Sequence, residues 1–345
     1  MSITSEHDLA ISCWLILCLV LIFAMAVLDG LNRLTALDQP IVYQGSSISL
    51  LPPLDDAQWR HEFSHYRQSP IYLKIGRKME LAEYKFLVRL NYAQRMLGLT
   101  IGVVFLLPFI YFRWRDKLKP GLTARLITLF VLGVIQGLIG WFVVRGSPVD
   151  KAQLYHYWLS AYLLIIVLIY GFMLWVILGL RDRQRYMPMH FSELTLWRIG
   201  SLVLTTLVLT TIVSGGFVSG LEAGSMYTSF PLMDGRLIPE GLDAMSPWYM
   251  NLFENRLTVQ FHHRMLAIAT AVVLIGWYFA RHRLLHEPVI KTSFKLVGMM
   301  VVMQMILGIA TLVLQIPTWL GVMHWAGALL LFGAMLFNVH ALSRL

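Results

Sequence analysis

The sequence predicts an all-α integral membrane protein whose eight transmembrane helices form two pseudo-symmetric four-helix bundles. Three observations predict it. The 345-residue chain is 57% hydrophobic and only 14% charged, with a mean hydropathy of +0.65, a balance that excludes an ordinary soluble domain. Apolar stretches long enough to cross about 30 Å of hydrocarbon recur along it. One segment also occurs twice: Asn91-Tyr92-Ala93-Gln94-Arg95-Met96-Leu97 and Gln260-Phe261-His262-His263-Arg264-Met265-Leu266, with Arg-Met-Leu identical at a spacing of 169 residues.

The spans fall at about 9–29, 95–113, 124–145, 155–180, 197–221, 259–280, 294–315 and 318–341. The first has no basic segment before it, and Asp29-Gly30 with Arg33 follows it in place of a small-residue cleavage site. It is therefore expected to be an anchor and not a cleaved signal. Its Cys13 and Cys18 lie inside the apolar run and read as small core residues. In the long loop 30–92, Leu51-Pro52-Pro53-Leu54-Asp55-Asp56 is a turn leading into a helix, and 56–68 and 79–90 are expected as amphipathic helices over the outer mouth of the first bundle. The second span opens on the first copy of the repeat. The third contains Gln136-Gly137-Leu138-Ile139-Gly140, and the fourth contains Leu159-Ser160-Ala161-Tyr162.

The second half answers the first. Span five ends in Ser214-Gly215-Gly216, as span one ends in Asp29-Gly30. A loop rich in Pro, Gly and Met from Tyr227 to Asn255 is expected to cap the second bundle. Span six opens on the second copy. Span seven holds Gln304-Met305-Ile306-Leu307-Gly308, and span eight places Gly321-Val322-Met323-His324 where span four has Leu159 to Tyr162. Each half starts on the same side, so these are parallel repeats. The expected domains are residues 1–190 and 191–345.

Lys and Arg cluster in the connections between spans two and three (Arg113, Arg115, Lys117, Lys119, Arg125), four and five (Arg181, Arg183, Arg185, Arg198), and six and seven (Arg281, Arg283, Lys291, Lys295). The three-to-four connection has only Arg145 and Lys151. The basic side is cytoplasmic, so both termini are expected in the cytoplasm and both long loops outside. Topology accounts for the net charge of +9, and nucleic acid is not an expected partner.

Of the eleven histidines, His7, His61, His65, His190, His282 and His286 fall in polar segments, and His340 is expected at the membrane interface. The informative pair is His263 and His324, about one and two turns into spans six and eight, at similar depth. A polar side chain inside a span faces a bundle interior or a cofactor. Two imidazoles facing across a bundle can hold a haem iron, or can simply hydrogen-bond between helices. His262 competes with His263, and the repeat favours His263, whose counterpart is Gln94. Arg264, and Arg95 in the first bundle, could each pair with a haem propionate.

The sequence resembles the heme A synthase family in its eight-span proteobacterial and mitochondrial form. The likeness rests on Asn32-Arg33-Leu34-Thr35; Pro52-Pro53-Leu54 with Trp59, Glu62-Phe63 and Tyr66; Gln136 to Trp141; Gly220-Leu221-Glu222-Ala223-Gly224; Phe230 to Gly235; Asn251 to Asn255; Thr258 to Arg264; and Leu307 to Leu312. The resemblance implies oxidation of the heme O methyl group to the formyl of heme A, with electrons leaving through a haem b held by His263 and His324. It also implies the inner (plasma) membrane of a bacterium, and dealings with heme O synthase, a redox partner and terminal oxidase assembly factors besides membrane lipid. A homo-oligomer is left open.

In the first bundle the chain departs from the family. The expected Glu-Tyr-x-His-Arg is Asn91-Tyr92-Ala93-Gln94-Arg95, and Tyr162 stands at the second histidine position. Asn has no useful titration, Gln is a poor iron ligand, and Tyr binds only ferric haem well. The catalytic residue is therefore unassigned. His156 is a candidate substitute ligand or an interfacial histidine. Two readings follow: a heme A synthase with an altered substrate site, taking heme O between spans two and four, or a non-catalytic relative that binds one haem b for electron transfer, haem handling or oxidase assembly.

Overall fold

The computed structural model describes residues 6–36, 52–68, 72, 79–145, 154–181, 191–280 and 287–344. Nine α-helices order these residues: α1 (Glu6–Ala36), α2 (Asp56–Arg67), α3 (Leu81–Trp114), α4 (Leu122–Arg145), α5 (Tyr155–Arg181), α6 (Phe191–Gly220), α7 (Arg256–Ala280), α8 (Pro288–Val313) and α9 (Thr318–Ser343). All but α2 are long and apolar enough to cross a membrane. The described residues contain no β-strand.

Local chemistry sets several boundaries. Asp55 caps α2 by accepting from the Gln58 amide at 2.7 Å. Glu80 and Glu83 form a reciprocal capping box at the start of α3. Here the expectation needs correction. Residues 79–90 are not a separate helix lying over the bundle but the first turns of α3, which runs on through the second span. No Gly or Pro separates Leu81 from Arg95, so nothing breaks the hydrogen-bond ladder. Pro108 does interrupt α3, because it has no N–H to give to the carbonyl of Val104. The Trp14 indole of α1 donates to that carbonyl at 2.8 Å, which repairs the ladder and ties α1 to α3.

In the second half, α6 packs on α7, α7 on α8, α8 on α9 and α9 on α6, closing a ring of four with α7 and α9 on one diagonal. In the first half, α1 packs on α3 and α5, and α4 on α5, which places α3 and α5 correspondingly. The α7–α8 contact has no comparably extensive counterpart between α3 and α4 among the described residues. The halves meet through α5 against α6, α1 against α9, and α5 against α9. Close approach is bought with glycine: an added Cβ at Gly171 would lie 2.7 Å from the Phe332 ring, and one at Gly220 would lie 2.6 Å from the His156 Cα.

The two long loops sit at the same ends of their bundles. Helix α2 packs on α3 through Trp59, Tyr66 and Tyr84. The second loop is pinned by its own motif. Asn251 accepts from the Met245 amide at 2.9 Å and donates to the Met245 and Trp248 carbonyls. Asn255 donates to the Gly241 carbonyl and accepts from the Leu257 amide, starting α7. His340 is 4% exposed, edge-on to Trp175 with ring centroids 5.3 Å apart, because the α5–α9 contact extends to that end. His7, His61 and His65 are exposed as expected. His190, His282, His286, Lys151, Arg183, Arg185, Arg281 and Arg283, and loop residues 37–51, lie outside the described residues.

Candidate haem site

His263 projects from α7 and His324 from α9, the diagonal pair, each about two turns from the long-loop end of its helix. They are electrostatic neighbours. Each ring lies in a notch on the preceding helix. A Cβ added at Gly215 of α6 would sit 3.2 Å from His263 Cε1, and one at Gly308 of α8 would sit 2.9 Å from His324 Cε1. These glycines make room for the imidazoles, and their lack of a Cβ uncovers the carbonyl four residues earlier. Those carbonyls, Thr211 and Gln304, lie beside the His263 and His324 rings respectively.

Side chains reinforce the arrangement. Ser214 Oγ lies 2.8 Å from His263 Nδ1 and donates its one hydrogen to the Thr211 carbonyl at 2.7 Å. With that hydrogen on the carbonyl, the hydroxyl oxygen accepts from Nδ1–H. The Gln304 amide nitrogen lies 3.1 Å from His324 Nδ1 and donates to the His324 carbonyl at 2.9 Å. With the Nδ1 proton of His263 given to Ser214, its Nε2 lone pair is left free, the tautomer a metal-binding imidazole needs; at His324 the Gln304 amide nitrogen beside Nδ1 is a donor. Among the described residues neither Nε2 has a hydrogen-bond partner. On these observations the residues fit a haem with two histidine ligands. No cluster of three or more His, Cys, Asp or Glu suited to a metal ion occurs among the described residues.

Arg264 is buried, with 8% exposed. One terminal nitrogen donates to the Ser229 carbonyl at 2.9 Å, and the other donates to the Tyr227 carbonyl. Its Nε is buried without a partner among the described residues. Arg264 thus clamps the second long loop onto α7 and retains its Nε–H for an anionic group. Gln260, one turn earlier, completes the clamp through the Gly224 and Tyr227 carbonyls at 2.8 and 2.9 Å. The repeat partner Arg95 is exposed, and so is His262.

The first bundle carries different side chains at the ligand positions. Gln94 on α3 and Tyr162 on α5 occupy the diagonal, and Gly140 backs Tyr162 at 3.5 Å as Gly308 backs His324. Neither side chain is free to bind iron. Gln94 donates to Asp29 Oδ1 at 2.9 Å, and the Tyr162 hydroxyl donates to the same oxygen at 3.3 Å. Asp29 also holds Arg33 at 3.0 Å. Asn32 donates to Gln94 Oε1 at 2.6 Å and to Asn91 Oδ1 at 2.9 Å. The residues here do not fit a second haem or heme O bound through its iron. His156 lies elsewhere. It is buried against Tyr157 and Phe217, with Nε2 3.5 Å from Glu254 Oε2, between the halves.

Sequence reasoning missed two residues. Ser214 was hidden in a run of small residues. Asp29 was visible as a carboxylate at the end of an apolar run, which is the signature of a buried partner.

A model of the COX15-CtaA family, described as cytochrome oxidase assembly protein, matches residues 12–336. The chain belongs to that family. It is 38% identical to a Heme A synthase of Nitrosospira multiformis over 335 residues, covering 97% of this chain and 94% of the relative. A Heme A synthase of Paramagnetospirillum magneticum is 38% identical over 345 residues, covering 99% and 95%. One from Wolbachia pipientis wMel is 32% identical over 332 residues, covering 95% and 91%. The COX15-CtaA match therefore spans both bundles, including the one whose equivalent positions are tied to Asp29.

Proposed function

We propose that this chain is a haem-binding membrane protein of heme A formation and cytochrome oxidase assembly, which holds one haem b in residues 191–345 through His263 and His324. The observation that carries it is the pair of diagonal imidazoles, each seated in a glycine notch with Nε2 unpartnered among the described residues. A haem there supplies one-electron exchange. His263 and His324 would hold the iron, Ser214 and Gln304 would orient the rings, and Arg264 would offer its Nε–H to a propionate while securing the loop that covers the site. We place the chain in a bacterial inner membrane with both termini cytoplasmic, beside heme O synthase, a redox partner and oxidase assembly factors.

Activity has two readings. The geometry of the first bundle favours a member that handles haem or electrons without oxidising heme O. The full-length similarity to proteins named Heme A synthase favours oxidation of the heme O methyl group to the formyl, with heme O bound otherwise than through Gln94 and Tyr162. Co-expression with heme O synthase, followed by purification and haem extraction, tests both. A low-spin haem b spectrum is expected in the purified chain, and protein free of haem would end the proposal. Heme A that appears only when this chain is present would establish the catalytic reading.

A further inference from the structure

Asp29 lies between the two diagonal helices of the first bundle, is 5% exposed, and spends both carboxylate oxygens on partners. One oxygen joins α3 to α5 by way of α1, since Gln94 and Tyr162 reach the same atom. The other holds Arg33, whose guanidinium lies 5.7 Å from the centroid of the Trp325 ring on α9. Asn32 and Asn91 extend the net along α1 and α3. In the second bundle Gly215 stands where Asp29 stands in the first, and Gly216 where Gly30 stands: an added Cβ at Gly216 would meet Ser160 and Leu163 of α5, as one at Gly30 would meet Trp325 of α9. Gly215 makes room for the His263 ring of its own bundle. The space at Gly30 is taken by Trp325 from the other half, whose Cδ1 would be 2.8 Å from an added Cβ and whose indole donates to the Ala26 carbonyl at 2.8 Å.

We infer that Asp29 is the residue that closes the first bundle to haem, and that this closure, more than the loss of histidine alone, fixes the chain at one haem. A macrocycle between α3 and α5 would have to part Gln94 and Tyr162 from Asp29 and leave a carboxylate and a guanidinium against an apolar face. Restoring imidazoles at 94 and 162 therefore does not by itself restore a site, because Asp29 would bind them as it binds the present pair. The family reading serves only to choose the positions compared; closure of the first bundle stands without the second-bundle haem, whereas the count of one haem rests on the proposal for His263 and His324.

The test is haem stoichiometry of the full-length purified chain, measured as pyridine haemochrome per protein after expression with ample haem supply. Wild type and Gln94→His/Tyr162→His should each carry one haem. Gln94→His/Tyr162→His/Asp29→Gly should carry two, and adding His263→Ala to that variant should leave one. Two haems in wild type, or in the double variant, would overturn the inference. So would a triple variant that keeps one haem together with an unchanged second-bundle spectrum, which shows that it has folded. A wild-type chain with no haem, beside a triple variant with one, would support closure by Asp29 while removing the proposal for His263 and His324.

Discussion

The two bundles place polar side chains at matching points and use them in opposite ways. In the second, the diagonal helices carry imidazoles whose Nδ1 atoms are held and whose Nε2 atoms are unspent. In the first, the diagonal helices carry an amide and a phenol whose polar atoms are consumed by one carboxylate. Buried polar groups must find partners inside a bundle, so a lone pair left without one in an otherwise satisfied site marks a place for a ligand. A network in which the polar atoms meet one another marks a structural join. The difference between a cofactor site and a cross-link is one of accounting, and residue type alone does not reveal it.

The largest effect that could break this contrast is at the ligands. His263→Ala or His324→Ala should abolish the low-spin haem absorbance of the purified chain, while Gln94→Ala should leave it intact. Loss in Gln94→Ala as well would mean that both bundles contribute to the same haem. The next effect is at the orienting groups. Ser214→Ala removes the side-chain acceptor at His263 Nδ1. Substitutions behind a metal-binding histidine typically weaken binding by about 10–100-fold, so haem transfer to apomyoglobin should quicken by a similar factor. An unchanged rate would show that the Thr211 carbonyl suffices.

Much of this was legible in the sequence because its signals are periodic and local. Eight apolar runs gave eight helices, and the Arg-Met-Leu repeat picked out α3 and α7 as equivalents. The glutamine-to-glycine spacing in spans three and seven, Gln136 to Gly140 and Gln304 to Gly308, marked the notches behind Tyr162 and His324. The start of α3 was misplaced because residues 79–90 are amphipathic, and helical periodicity does not reveal where a helix leaves the membrane. The burial of His340 was not legible because it depends on α5, a helix distant in sequence. Asp29 was taken only as the end of a span, because its partners come from α3 and α5 and no local pattern announces them.

The notches give a finer comparison. Gly308→Ala would put a methyl 2.9 Å from His324 Cε1, closer than real side chains approach, whereas Gly140→Ala meets Tyr162 at an ordinary 3.5 Å. Overpacking of this kind costs about 1–3 kcal/mol. Gly308→Ala should lower haem occupancy or shift the haem absorbance maximum, and Gly140→Ala should do neither. Equal responses would mean that the His324 ring can turn away without loss.

The smallest effect concerns the covers. The second loop is held by buried bonds from Gln260 and Arg264 to its backbone. Helix α2 is held by aromatic packing and by one exposed ion pair, Lys85 to Asp56 at 2.5 Å. The hydrogen bond and positive charge of Lys85 hold the Asp56 carboxyl below its ordinary value. The sign follows from that direction: the pair stabilises the fold above the ordinary carboxylate pKa and is lost as pH falls through the lowered one. Both partners reach solvent, so salt screens the attraction. Asp56→Asn should therefore leave the thermal midpoint at neutral pH nearly unchanged, with any small difference vanishing in high salt or strong acid. Arg264→Leu, by contrast, should expose the loop 222–255 to limited proteolysis at any salt concentration. A larger loss from Asp56→Asn than from Arg264→Leu would reverse the order proposed for the two covers, and would make the surface of the first bundle the more tightly held of the two.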